Sequence, residues 1–418
     1  MDAATRTEAA KLLMSAIFSE ATSNETKAGM ISMISFLKEA ALVIEPELLS
    51  LRKKSKNLEE TINQALVGMG SDQTGAILTG QLAVEPTPSL LRDLAAIGIA
   101  GTGAGPTATE LLDHSDKEIR LAAARCLGYI NYKESVPKLI KLLDEPSDFR
   151  LNWIAAESLG RIADKAALNA LKRISKSHWY PAVRNAAVKA VKNINSSVVS
   201  SHYEINKDRF GYEFFCYKNL SAPVCKKIKL EKVKESAGTK LLIKHDEDKL
   251  QTLSYPSEII GFDASDAEEQ LAAGNVVEIR PDNMIEIRDP ITQTPDVAMR
   301  TEHGWLVGSS RGEFGGELVY IADDKEAVMI FSDNIENIYR LGKRYIAIAG
   351  LCHMTLNDGM VYELKPAGDG KWDYKPWRTL PGAPSSSWLV ETGEVLVNTA
   401  GGSILISDDG SMRMAPCR

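Results

Sequence analysis

Cys352 and His353 are the residues whose types could do covalent chemistry, a thiol beside an imidazole that could activate it. Adjacent residues on a strand point to opposite faces, so the pair predicts one buried thiol and one imidazole at a rim. A hydrolase of another kind would need a serine elbow, and none is expected here. The six histidines, His114, His178, His202, His245, His303 and His353, are scattered. No two of the five cysteines have the two-residue spacing of a metal or redox site. Asp246-Glu-Asp248 lacks the rest of a calcium loop and predicts a solvated turn. Gly101-Thr-Gly-Ala-Gly-Pro106 has the composition of a phosphate loop, but it follows a helical stretch and not a strand, so it predicts a flexible turn between helices. These residues call for no catalytic group, no metal and no cofactor, and the chain is expected not to be an enzyme.

Binding chemistry is better supplied. Residues 117–195 carry 15 Lys and Arg against 7 Asp and Glu, a surplus of +8 in a chain whose net charge is −7. Lys138, Lys141 and Arg173 belong to that surplus and are candidates for contact with an acidic protein or a nucleic acid. Solvated outer faces of amphipathic helices explain the same charges. His178-Trp179-Tyr180-Pro181 offers Trp179 and Tyr180 as aromatic anchors, or else as a plug at the end of a helical array. Ser309-Ser-Arg-Gly-Glu-Phe-Gly-Gly316 predicts a hairpin tip from which Arg311, Glu313 and Phe314 project. Trp372, Tyr374, Trp377 and Arg378 predict a second, aromatic-rich tip.

The elements that must position these groups start from a repeat. Ile119-Arg-Leu-Ala-Ala-Ala-Arg-Cys-Leu-Gly-Tyr-Ile130 aligns with Leu151-Asn-Trp-Ile-Ala-Ala-Glu-Ser-Leu-Gly-Arg-Ile162 and with Val183-Arg-Asn-Ala-Ala-Val-Lys-Ala-Val-Lys-Asn-Ile194, each step being 32 residues. Such a period means stacked helical hairpins, because no single unit can bury its apolar face alone. The alanines let neighbouring helices approach. Gly98, Gly128 and Gly160 either permit tight packing or relieve crowding near a helix end. Ser115 with Glu118 suggests a capping box at the start of one copy. Lys192 replaces the glycine in the last copy, which suggests that the array ends near Asn195.

These lines, with Val136-Pro-Lys-Leu-Ile-Lys-Leu-Leu143, resemble the short HEAT repeats of the phycobilisome-lyase type over roughly 120 residues. The resemblance implies an α-solenoid. It leaves function open among scaffolds, lyases, DNA glycosylase-like proteins and adaptors.

Upstream, Ala10, Leu13, Met14, Ile17 and Phe18 recur at helical spacing, a second apolar stretch runs from Met30 to Leu51 with an interruption near Pro46, and a third ends at Gly68 and Gly70. Residues 1–74 therefore predict a helical cap and 75–196 the solenoid. From 198 the pattern changes to short apolar runs separated by Asn357-Asp-Gly359, Asp369-Gly370, Thr392-Gly393, Gly401-Gly402 and Asp409-Gly410. Residues 305–321 and 345–364 echo each other at a 40-residue offset. Residues 198–418 predict an antiparallel β-rich domain, propeller-like or sandwich-like, clearest over 300–418; within 198–300 the runs at 212–217 and 241–243 read as strands and 265–273 as a helix. The fold class is thus multidomain α + β. An odd, unpatterned set of cysteines and no apolar leader suggest a reducing, cytoplasmic setting. The expected function is a non-catalytic scaffold that binds another protein, most sharply a bacterial immunity protein that neutralises a cognate toxin. A nucleic-acid-binding solenoid and a bilin-lyase-like enzyme are the alternatives.

Overall fold

The structure is a computed structural model. It describes residues 2–19, 21–71, 73–196, 295–323, 327–353, 356–368, 370–390 and 392–415, with the backbone of 239–240, 242–244 and 252–254. The expected strand at 212–217, the helix at 265–273 and the turn at 246–248 lie outside the described residues. Two compact units divide the chain: Met1–Glu145 with Phe149–Asp208, and Pro146–Asp148 with Arg209–Arg418.

The first unit is helical: α1 (Ala3–Ile17), α2 (Asn24–Ile34), α3 (Glu45–Lys54), α4 (Glu59–Met69), α5 (Thr74–Val84), α6 (Pro88–Ile97), α7 (Gly105–Glu110), α8 (Lys117–Tyr129), α9 (Val136–Leu142), α10 (Phe149–Ile162), α11 (Leu168–Ser177) and α12 (Pro181–Ser196). Pro46 opens α3 instead of merely interrupting a helix, because its missing N–H is an orphan in a first turn anyway. Ala10, Met14, Ile17, Ile34, Ile62 and Leu66 close the core of the first four helices. Gly70 ends α4 with φ +72°, a left-handed cap that a side chain resists. Gly68, expected to stop that helix, lies inside it.

The repeated line forms α8, α10 and α12, which pack side by side. Two of the three glycines are packing positions. A Cβ on Gly128 would lie 2.7 Å from Ser158 Cα, and one on Gly160 would lie 2.7 Å from Ala190 Cα. Gly98 differs: it caps α6 with φ +61°. Lys192 stands where those glycines stand, and it is exposed. The expected capping box at Ser115 is corrected. Asp116 is the cap of α8, its carboxylate accepting from the Glu118 and Ile119 N–H groups. The glycine-rich segment 101–106 is also not a flexible turn. It is a packed 3₁₀ stretch (Gly98–Ala104) leading into α7, with Pro106 in the first turn and Gly105 pressed against the Tyr132 ring.

The second unit is antiparallel. Its strands are β1 (Thr239–Lys240), β2 (Leu242–Lys244), β3 (Thr252–Ser254), β4 (Val297–Arg300), β5 (Gly304–Gly308), β6 (Leu318–Ala322), β7 (Ala327–Phe331), β8 (Ile335–Leu341), β9 (Arg344–His353), β10 (Leu356–Gly368), β11 (Lys371–Leu380), β12 (Pro384–Leu389), β13 (Val395–Thr399), β14 (Gly402–Ile406) and β15 (Met412–Met414). Three successive meanders, β4 to β7, β8 to β11 and β12 to β15, make three sheets; β1 adds to the β4 edge, and β2 pairs with β3. The two segments that echo in sequence are the second and third strands of the first two meanders. Val297, Leu306, Leu318, Ile338, Ala347 and Leu364 form one core shared by those two sheets. Asn357-Asp-Gly359 is a correction. It is not a turn but part of β10, where Gly359 pairs with Gly350 and is crowded by the Gly382 carbonyl, leaving no room for a side chain.

Candidate interaction surfaces

The cations expected to face a partner largely hold the repeats together. Lys138 Nζ on α9 donates to Asp113 Oδ2 at 2.6 Å and to the Thr109 carbonyl at 3.2 Å, in the preceding repeat. Arg173 on α11 forks onto Asp144 at 2.7 and 2.6 Å, and this pair raises its pKa. Arg150, nearly buried, lies 3.4 Å from Glu118. Arg161 donates to the Tyr129 hydroxyl at 2.7 Å, 32 residues back. Lys138 and Arg173 thus act as inter-repeat staples, because a carboxylate at the end of the previous hairpin falls within their reach. Lys141 is exposed and makes no ion pair among the described residues.

Trp179 and Tyr180 are held differently. Tyr180 is 3% exposed, its ring 4.8 Å from Phe149 in an edge-to-face contact. It is a core residue, which corrects its reading as an anchor: the bend that precedes α12 sets it against Phe149. Trp179 is half-buried, 5.8 Å from Phe149 and stacked 5.8 Å from His178. His178 organises this corner. Its Nδ1 accepts from the Tyr180 N–H at 3.0 Å, so its Nε2 carries the hydrogen toward Asn152 Oδ1, also at 3.0 Å. Burial disfavours the imidazolium and pushes the His178 pKa down to about 4. Asn152 completes the clasp by donating to the Leu142 and Glu145 carbonyls.

The loop half of that clasp recurs, and sequence reading missed it. His114 Nδ1 accepts from the Asp116 N–H as His178 does from Tyr180. Arg120 donates to the His114 and Ser115 carbonyls, and Arg184 to those of His178 and Trp179. His114 and His178, like Arg120 and Arg184, are 64 residues apart, two periods of the repeat. The signal was present, but it hides unless every second copy is compared.

In the β unit the second expected tip dissolves into strand β11. Trp377 is 8% exposed and Arg378 9% exposed. Arg378 donates to the Gly410 and Trp377 carbonyls and lies over the Trp377 ring, 4.7 Å from its centre, while Arg344 lies 5.2 Å from the same ring. Trp372 is half-buried between Tyr320 and Tyr345, at 5.5 and 5.2 Å. Binding roles for Trp377 and Arg378 are therefore corrected: a bulge in the β10–β11 register falls at Trp377, and the last four residues of β11 are all buried. The pairing of β10 with β11 runs out to Gly368 and Lys371.

The first expected tip is a tip. Glu313 and Phe314 are exposed, and Arg311 is held to Asp296 at 2.6 Å. A Gly-x-Ser-x-Gly spacing does occur here, at Gly308, Ser310 and Gly312, against the expectation of none. It joins two antiparallel strands and not a strand to a helix, and the Ser310 hydroxyl lies 3.2 Å from Asn334 Oδ1, so it is not a hydrolase elbow. Cys352 and His353 end β9. Cys352 is half-buried and disulfide-bonded, which corrects its reading as a buried thiol. His353 Nε2 lies 3.1 Å from Glu313 Oε2. No group of three His, Cys, Asp or Glu among the described residues could hold a metal ion.

With this geometry in view, the family described as HEAT repeats matches residues 105–192. Residues 105–192 are HEAT repeats. Such repeats form solenoid scaffolds of the kind that mediates protein–protein contacts. Among solved structures, an engineered protein is 21% identical over 48% of this chain and 100% of its own, with a TM-score of 0.34. The complex of CpcE and CpcF of phycocyanin lyase from Nostoc is 20% identical over 46% of this chain and 77% of its own, with a TM-score of 0.30. Human deoxyhypusine hydroxylase in complex with glycerol is 15% identical over 46% and 98%, with a TM-score of 0.22. No curated protein matches the chain. No helix among the described residues is long and apolar enough to cross a membrane.

Proposed function

We propose that this chain is a non-catalytic scaffold that binds another protein stoichiometrically, and in its sharpest form an immunity protein that neutralises a toxin. The observation that carries it is the HEAT array of 105–192 in one chain with a separate antiparallel unit. We further propose that the three meanders are blades of a propeller-like unit, a form that presents loops along its rims. Nucleic acid fits less well, since Lys138 and Arg173 are committed to Asp113 and Asp144. A cytoplasmic location belongs to the same proposal; the disulfide at Cys352 counts against it, because such bonds persist in oxidising compartments.

Affinity purification of the full chain from its native source, followed by light scattering, tests the reading. One polypeptide at fixed stoichiometry is expected, and for the toxin form its co-expression relieves growth arrest. Recovery of the chain alone, fully active in isolation, defeats the scaffold; a partner whose expression harms nothing defeats the toxin form alone.

A further inference from the structure

The segment between β5 and β6 is fixed more firmly than a hairpin tip requires. The Arg311 N–H donates to Asn334 Oδ1 at 3.0 Å, and Asn334 Nδ2 returns a bond to the Gly312 carbonyl at 3.0 Å. Asn334 is itself buried. The Ser310 N–H and the Arg311 guanidinium both reach Asp296 Oδ2, at 2.7 and 2.6 Å. Inside the loop, Arg311 N–H bonds the Gly315 carbonyl and Phe314 N–H the Arg311 carbonyl. Gly312 and Gly315 adopt φ +59° and +84°, which the turn needs and side chains resist. At the apex of this frame Phe314 is 80% exposed.

We propose that Phe314 is the anchor of a protein–protein contact, entering an apolar pocket on a partner protein whose rim is basic. An aromatic ring held ready by its loop loses little freedom on docking, which is how a single side chain dominates an interface. The rim follows from the charges around it. Asp296, Glu313 and Asp333 supply three carboxylates, against Arg311 and His353. The segment 309–316 has no lysine, and its one arginine is turned back onto Asp296. A membrane surface or a nucleic acid brings phosphates, which this setting repels. The proposal rests on the scaffold reading and names its contact point.

The test places p-benzoyl-phenylalanine at position 314 of the full chain, expressed in its native source and irradiated. One discrete polypeptide adduct is expected, its cross-linked peptide bordering lysines or arginines; the same probe at exposed position 371 gives none. With that polypeptide purified, Phe314→Ala weakens binding at least about 30-fold, as a hot-spot truncation does, while Phe314→Trp stays within a few-fold. Phe314 is exposed, so both variants keep the parent melting temperature. Binding unchanged by Phe314→Ala overturns the anchor and leaves the scaffold standing. Adducts only to lipid or nucleic acid, or spread over many polypeptides, also overturn the anchor. No polypeptide retained by the unmodified chain overturns the scaffold and the anchor with it.

Discussion

His178 and Asp93 are two largely buried side chains of the helical unit whose surroundings make stability depend on pH, and they act in opposite directions. The His178 pKa falls to about 4 in the folded protein, below its ordinary 6.5, because burial disfavours the imidazolium. Below 6.5 the unfolded chain therefore takes up the proton first. Stability is complete above 6.5 and declines as pH falls toward 4, by on the order of 2 kcal/mol once partial exposure is allowed for. Urea midpoints at pH 7 and pH 5 should show that decline, and His178→Gln should flatten it. Asp93 is the reverse case. Burial raises its pKa from 3.8 to about 7, with the neighbouring Arg92 opposing and Glu60 assisting, and its Oδ2 is buried without a hydrogen bond. Its contribution is complete below 3.8 and is lost as pH rises through 7. Asp93→Asn should therefore raise the unfolding free energy at pH 8 by about 1–2 kcal/mol, read from urea melts, and change it little at pH 4. Neither behaviour is legible from residue type. Both depend first on how deeply the tertiary packing buries the group.

At the scale of elements, the sequence speaks clearly where a position must be small. The 32-residue period marks α8, α10 and α12, and it separates Gly128 and Gly160, which touch the next helix, from Lys192, which is exposed. Gly160→Ala should lower the melting temperature by several degrees, for its Cβ would meet Ala190 Cα at 2.7 Å and Cβ at 2.8 Å. Gly103→Ala meets only Thr79 Oγ1 at 3.7 Å and should be close to neutral. Equal effects at the two sites would remove the close-packing account. The strands are harder to read. The apolar runs at β5, β6, β7, β9, β10 and β13 are readable by composition. β8 and β11 are not: Asn337 and Arg340 dilute β8, and Lys371, Asp373, Lys375 and Pro376 give β11 the composition of a loop. Pairing supplies what these sequences lack, because β11 lies along nearly the whole of β10. The candidate site fared likewise. Phe314 stands out by its glycine-flanked setting, whereas the inward turn of Trp377 and Arg378 depends on a strand that composition disguises.

At the scale of the molecule, charge and redox state are the properties that composition alone misjudges. A surplus of +8 over 117–195 suggests a polyanion surface, yet Lys138 and Arg173 cross to carboxylates or carbonyls of the preceding repeat. Exposed pairs of this kind contribute at most about 1 kcal/mol each, so they set register more than stability. The chain should leave a 30-mer single-stranded DNA unshifted at 150 mM salt, and a shift there would restore the nucleic-acid reading. Cys352 makes the second point. Thiol titration of the unfolded native-source protein should count no more than three of the five cysteines before reduction, and at least two more after it. Five thiols before reduction would return the protein to a reducing compartment.

The histidine clasp has a consequence for how such an array could be shortened. His178 reaches Asn152 one unit back, whereas the ring contact of His114 stays within its own loop. Excising the hairpin that carries Asn152 would therefore leave the His178 Nε2–H facing a stranger, and a shortened chain would have to re-solve that seam before it could close.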